Sequence, residues 1–512
     1  MTPGATRRFA AALVLGFASG LPLALSGTAL QAWLTVAGHD VSTIGFLTLI
    51  GLPYTFKFLW APLMDRVEPP FLGRRRGWIL VCQVGLVGAL LGLSTISPQN
   101  VGAIGAMAAF VAFLSASQDI VVDAWKTDAL TDGERGLGAS LGVLGYRLAM
   151  VLSGGVVLIW ADPVQGGMTW PEVYQRLAGV LAVLGAVGVA LVPGLPPRER
   201  PAEGEAPLWR EFAGFGAVLL AAAAGWCVAK WPGSWVGAAA VAPFAIPAKV
   251  AHGFSDLIAL VLGMAVALPL GRFFAQRFGY ETLTRSLAGF FAQPRAKALL
   301  GAVVLYKVGD AFAMSLNTTF LLTGAGFSTA EVGVVNKVFG IWLTVVGSLI
   351  GGLLLPVLGL GRALITFGLL QAAAVVGFFL LALYGRGAWG ALQVAPFDLG
   401  FVWLKEAVTV DHGMLAAVAA EHLTSGLGTA AFAAFLMALS KSRFSATQYA
   451  LVSALAAVGR VWVGPFAGVT AEVFGWPTFF VIAIGVGLPG VAMVAWLRRE
   501  IDGLGRGAGS SP

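Results

Sequence analysis

Apolar residues run through this chain in long blocks separated by short polar stretches. A helix that crosses a bilayer needs about 20 mainly apolar residues. Runs of that kind lie near 9–36, 43–65, 78–97, 101–125, 137–161 and 173–194. A polar stretch from Pro193 to Glu211 follows, then two more runs near 211–231 and 254–274. Between those two, Pro232, Pro243 and Pro247 predict a loop or a broken, partly inserted piece. An amphipathic stretch is expected from about 275 to 296, and six further spans near 297–322, 331–356, 362–384, 412–439, 446–472 and 477–497. The pattern predicts an all-α polytopic membrane protein of fourteen spans, grouped as six, two and six. Residues 1–195 are expected to form one six-helix bundle and 297–500 another. Residues 196–296 are a central linker with two extra transmembrane helices and a cytoplasmic amphipathic segment, and 501–512 a flexible tail.

Composition sharpens this picture. Charged residues make up 11% of the 512 positions and hydrophobic ones 58%, against about 25% charged in ordinary soluble domains. So little charge cannot cover a soluble surface, and so much apolar content excludes disorder. The two cysteines, Cys82 and Cys227, sit in apolar runs and suggest neither a disulfide framework nor a metal cluster. The four histidines show no metal-ligand spacing, and no nucleophile motif is present. An enzyme is therefore not expected, nor a metal or other cofactor. Gly503-Leu-Gly505-Arg-Gly507 lacks the flanking strand and helix of a phosphate-binding loop. The first apolar run is too long for a signal-peptide core and is expected to be retained.

Lys and Arg concentrate on the cytoplasmic side of membrane proteins. With fourteen spans and the N-terminus inside, Arg7, Arg8, Arg66, Arg74–Arg76, Arg198, Arg200, Arg210, Lys441, Arg443, Arg498 and Arg499 all fall inside. Arg176, Lys230, Lys249, Arg386 and Lys405 fall outside. Both termini are thus expected in the cytoplasm. The net charge of +7 follows from the same rule and calls for no nucleic-acid partner; lipid and a monomeric state are expected.

The two halves echo each other, as repeats do in transporter folds. Arg147 precedes Gly155 by eight residues in the fifth span, and Arg460 precedes Gly468 likewise in the matching span. Ser42-Thr-Ile-Gly45 and Glu331-Val-Gly333 each open the second span of a half. Such glycines let helices approach closely, a packing role first. Twelve core spans in related halves suggest a major facilitator architecture. Asp65-Arg66 and Gly73-Arg-Arg-Arg76 resemble that superfamily's cytoplasmic loop motif, with a lengthened loop between them. The resemblance implies a cytoplasmic gate at Asp65 and Arg74; alternatively Arg74 to Arg76 are topogenic charges only.

Ionisable groups are costly within hydrocarbon, and embedded ones mark a pathway. Here they are Lys57, Asp119, Asp123 and Arg147 in the first half, and Lys307, Asp310, Lys337, Glu421 and Arg460 in the second. Asp119 and Asp123, four apart, share a helix face, as do Lys307 and Asp310, three apart. In one reading these are buried pairs that fix packing, such as Asp119 with Arg147. In the other, the five cations line a cavity for an anionic solute while Asp119, Asp123, Asp310 or Glu421 carries a proton. The surplus of basic groups favours the second. Gln31, Tyr54, Gln118, Tyr146 and Asn317 accompany them, and His422 beside Glu421 is a further relay candidate.

The chain resembles the AmpG-type muropeptide permeases of Gram-negative inner membranes. Gly16-Phe-Ala-Ser-Gly-Leu-Pro22, Phe56-Lys-Phe-Leu-Trp-Ala-Pro62, Ser115-Ala-Ser-Gln-Asp-Ile120, Asp123-Ala-Trp-Lys-Thr-Asp128, Leu305-Tyr-Lys-Val-Gly-Asp-Ala311 and Ala456-Val-Gly-Arg460 through Gly464-Pro465 carry the resemblance. It covers roughly 9–194 and 297–497. It implies proton-driven import of GlcNAc-1,6-anhydroMurNAc-peptides for peptidoglycan recycling, a process that influences β-lactamase induction where that enzyme is inducible. Lys57, Arg147, Lys307, Lys337 or Arg460 would meet peptide carboxylates, and Asp119 or Asp310 a substrate ammonium. The two linker spans and an insertion near 385–411 depart from the family pattern. Related permeases of the superfamily carry acetyl-CoA or other anions, the alternative reading.

Overall fold

The computed structural model describes residues 4–61, 64, 67–130, 132–193, 208–241, 248–277, 295–398, 400, 403–439 and 445–506. Ten helices within these residues are long and apolar enough to cross a membrane. The chain enters through Ala5–Ser26 and Thr28–Val36, one span broken at Gly27. Arg74–Thr95, Val101–Ala129 and Trp170–Leu191 follow as long uninterrupted helices. The fifth span of the first half is less regular. Asp132–Val151 passes through a π-helical turn, Leu152–Val156, into Val157–Ala161.

The second span of that half is the most broken. Val41–Phe46, the 3-10 segment Leu47–Gly51, Leu52–Phe56 and the 3-10 segment Lys57–Leu59 succeed one another. Gly45, Gly51 and Pro53 supply the breaks, and only Val41–Phe56 of it is a continuous apolar stretch. The second half repeats the plan. Ala296–Met314 leads through Asn317–Thr319 to the π-helical Phe320–Gly324, and Thr329–Val332 through the π-helical Gly333–Phe339 to Gly340–Leu358. Leu360–Tyr384 and His412–Leu439 follow. Ser445–Trp496 then turns at Gly475, where φ is 74°, a value that glycine adopts without a Cβ clash.

The linker differs from the sequence expectation. Pro232 interrupts nothing, for Leu208–Val241 is one helix that packs on Ala248–Arg277. Proline is tolerated within membrane helices because neighbouring groups satisfy the freed carbonyl. The contact is glycine-mediated, since a Cβ on Gly233 would lie 2.5 Å from Ala259 Cα. The amphipathic stretch expected at 275–296 lies mostly outside the described residues. The described part of the tail, 501–506, also differs. Arg498–Arg506 is helical, Ile501 is fully buried, and the Asp502 carboxylate accepts the Gly361 N–H at 2.8 Å. That bond ties the segment to the helix start at Leu360, whose first N–H groups have no intrahelical acceptor. The insertion near 385–411 forms two short antiparallel ladders, Ala391–Val394 with Val408–Asp411 and Phe397–Asp398 with Trp403–Leu404.

The glycine echoes meet each other across the two halves. A Cβ on Gly333 would sit 2.7 Å from the Gly155 carbonyl oxygen, and one on Gly45 2.8 Å from Gly468 Cα. The second span of each half therefore packs on the fifth span of the other, with backbone against backbone.

Candidate functional site

Hydrogen bonds join the halves at the end where the first span finishes and the insertion lies. Gln31 Nε2 donates to the Ser315 carbonyl at 3.4 Å, and the Thr35 and Thr319 hydroxyls are 3.3 Å apart. Asp162 is 3% exposed. Its Oδ1 accepts the N–H groups of Val164 and Gln165 at 3.0 and 3.2 Å. Its Oδ2 accepts the Thr329 hydroxyl and the Ala330 N–H of the other half, both at 3.0 Å. Asp162 thus caps a helix in the opposite bundle, where acidic groups are favoured. Gln165 and Glu406 exchange two bonds, of 3.0 and 3.1 Å, and Trp160 stacks on Trp403 at 6.3 Å. The residue spacing gave no signal for this seam, because its partners lie far apart in sequence.

In the first half, Asp119 is the centre of a polar cluster. Lys57, Asp123, Lys126 and the Ser19 hydroxyl lie close enough to act on its charge, and Asp119 in turn acts on the Tyr54 hydroxyl. Asp119 and Lys57 are half-buried. Asp123 is 65% exposed and pairs with Lys126 at 3.1 Å, so the two aspartates share a face but not an environment. Lys126 was outside the expected set although it is within the Asp123–Asp128 motif. Gln118 is fully buried and its Oε1 accepts from Gln83 Nε2 at 2.9 Å, between two helices of one bundle. Tyr146 and Arg147 are half-buried on Asp132–Val151. Asp65 lies outside the described residues. Arg74 and Arg75 both converge on Asp128, at 3.6 and 2.9 Å.

In the second half, Lys307 and Asp310 pair at 3.5 Å, with the Lys307 ammonium 5.2 Å from the Phe432 ring centre. Glu421 is 6% exposed and its Oε2 lies 3.5 Å from His422 Nε2. His422 Nε2 is also 3.1 Å from Asn336 Oδ1, which accepts from Asn317 Nδ2 at 3.1 Å; His422 Nδ1 is 2.9 Å from the Thr344 hydroxyl. Asn336 sits on the π-helical turn Gly333–Phe339, an irregularity that recurs at functional sites. Lys337 follows it in that turn, and Arg460 lies on Ser445–Trp496; their side chains lie outside the described set. Each bundle thus places a lysine on its second span, a carboxylate on its fourth and an arginine on its fifth. Among the described residues no cluster of three or more His, Cys, Asp or Glu could hold a metal ion.

Comparison with known proteins gives three findings. The family model described as acetyl-coenzyme A transporter 1 matches residues 8–163. The anhydromuropeptide permease of Escherichia coli (strain K12) is 40% identical over 97% of this chain and 80% of its own length. Among solved structures, a POT family transporter in complex with a thioalcohol-conjugated peptide aligns with TM-score 0.62 at 11% identity, covering 96% of each chain. A bacterial homologue of the human lysosomal transporter Spinster aligns with TM-score 0.56 at 13% identity over 100% of each. The two structural matches establish a shared fold.

Proposed function

We propose that this chain, which belongs to the anhydromuropeptide permease family, imports GlcNAc-1,6-anhydroMurNAc-peptides across the bacterial inner membrane for peptidoglycan recycling, driven by the proton gradient. The observation that carries this reading is the 40% identity running through 97% of the chain, linker and both bundles included. The embedded charges suit such a solute. Its carboxylates would meet Lys57, Arg147, Lys307, Lys337 or Arg460, and its sugar rings and amides would meet Gln31, Tyr54, Tyr146 and Asn317. Asp119, Asp123, Asp310 and Glu421 would couple transport to proton movement, with Asp65 and Arg74 part of the cytoplasmic gate.

In this reading the chain is a monomer that spans the bilayer fourteen times, with both termini in the cytoplasm, and needs no cofactor. The insertion then lies on the periplasmic side, and the seam around Asp162 is the periplasmic closure of an inward-facing state. The cleft would open outward by rocking one bundle on the other about the glycine contacts.

Uptake of labelled GlcNAc-anhydroMurNAc-tripeptide into proteoliposomes, with and without an inward proton gradient, tests the proposal. Gradient-stimulated accumulation is expected. Its absence with correctly folded, oriented protein would refute it. The match of residues 8–163 to the acetyl-coenzyme A transporter model favours one second reading, a proton-coupled carrier of another anion. Acetyl-CoA in the same assay separates the two.

A further inference from the structure

A pocket lies inside the second bundle, away from the seam between the halves. Tyr306, Gly309 and Asp310 line it from one helix, Gly368 and Gln371 from a second, Glu421 and Thr424 from a third, and Gly487 from a fourth. All four helices belong to the same half. Two of its helices pass backbone against backbone beside it, where a Cβ on Gly309 would fall 2.3 Å from Gly487 Cα.

Its polar lining is one-sided. The Tyr306 hydroxyl donates its proton to the Leu364 carbonyl at 3.1 Å, and the Thr424 hydroxyl donates to the Ala420 carbonyl at 2.8 Å. A hydroxyl has one proton to give, so both oxygens turn only lone pairs to the pocket. Asp310 and Glu421 add carboxylates. The cations that face them are Lys307, beside Asp310, and His422, beside Glu421 when protonated. Gln371 is the remaining polar side chain of an otherwise apolar wall. It is 9% exposed, and its Nε2 meets no acceptor among the described residues. The two ends of an amide are told apart by their partners alone, so the same side chain turned over would offer a fifth oxygen. Two carboxylates, two accepting hydroxyl oxygens and a reversible amide around one space suit a small hard cation, which would share the carboxylates with Lys307 and His422.

We propose that this pocket binds the coupling cation, a hydronium or sodium ion, at a site set inside the second bundle and separate from the solute cleft. The proposal rests on the reading of the chain as a proton-coupled permease; a sodium result would keep the site and replace the proton as the coupling ion. It gives Asp310 and Glu421 one joint task and places Gln371, Tyr306 and Thr424 beside them as ligands. The Glu421–His422–Asn336–Asn317 chain then links the ion to the face of the bundle that meets the other half, so that occupancy can be felt at the cleft.

The test uses the purified full-length protein without any muropeptide, so that its failure is independent of the uptake assay. Thermal unfolding is followed in sodium chloride against choline chloride at equal ionic strength, and then across pH 5.5–8 in choline. A ligand that binds the folded state raises its stability in proportion to the logarithm of saturation. Two results support the site. A rise in Tm with sodium that Glu421→Gln and Gln371→Met both remove identifies sodium. A pH-dependent rise without a sodium effect, removed by the same two variants, identifies hydronium. Gln371→Met keeps the side chain's length and serves where Glu421→Gln folds poorly. No cation dependence in the wild type, or a dependence that survives in the variants, overturns the proposal.

Discussion

Asp162 offers the sharpest test of how the closed end is held. Replacing it with Asn keeps the volume and removes the charge. All four groups around it are donors or a hydroxyl: two N–H groups on Oδ1, one N–H and the Thr329 hydroxyl on Oδ2. An amide nitrogen on the Oδ1 side would face two N–H groups. On the Oδ2 side it would face one, while the Thr329 hydroxyl could rotate to accept. The second arrangement costs less, and it strikes the bonds that cross between the bundles. A hydrogen bond to a charged group contributes about 1.5–3 kcal/mol. Losing one and weakening another should therefore disfavour the closed end by about 2 kcal/mol, or about 30-fold in its equilibrium with the open form. If the closed form leads by about 100 to 1, the open fraction rises from about 1% to about 23%. Spin labels at Val36 and Leu392, both exposed, on a background lacking Cys82 and Cys227, would read this as a second, longer distance in pulsed electron resonance. Thr329→Val, which removes only the hydroxyl, should give a smaller shift in the same direction. An unchanged distance distribution in Asp162→Asn would refute the assignment of Asp162 as a latch.

Other expectations follow from the same geometry. Gly45→Leu drives a side chain into the backbone at Gly464 and Gly468, 2.6 and 2.8 Å from the new Cβ. It should cost about 1–3 kcal/mol of stability by overpacking, read as a lowered Tm, and should abolish uptake. Lys57→Met removes a cation that acts on the Asp119 charge; the double variant with Asp119→Asn should recover stability, and a double-mutant cycle should return a coupling of about 1 kcal/mol or more. Arg386→Ala strips the partner, at 2.7 Å, from the buried Glu331 that also completes the capping box on Ser328. Because Arg386 is 44% exposed, the loss should be about 1–2 kcal/mol, and Glu331→Gln should largely remove it.

The long apolar runs, the two related halves and the charged residues within them were legible from the sequence because each rests on local composition. The glycine echoes carried more than expected, since Gly155 and Gly333, and Gly45 and Gly468, prove to be contact partners. What the chain hid is non-local. Nothing near Asp162 announces Thr329, and nothing near Gln165 announces Glu406. The tail was hidden for another reason. Its glycines suggest mobility, whereas Ile501 and Asp502 dock it to the helix start at Leu360. Gln118 looked like a cleft residue beside Asp119, yet a neighbouring position on a helix points about 100° away, and its amide serves Gln83 within the bundle.

The broken second span carries a cost that arises before the protein is complete. With about sixteen apolar residues, Val41–Phe56, before Lys57, this segment falls short of what the insertion machinery partitions readily into lipid by itself. The neighbour that has already emerged is the first span, with a mean hydropathy of 1.9. The two would have to leave the translocon as a pair, the longer helix carrying the weaker one, and Lys57 would find Asp119 only after the fourth span arrives. Biogenesis of this permease is therefore expected to be sensitive at its second helix, and that sensitivity should appear as reduced yield in truncations that end between the second and fourth spans.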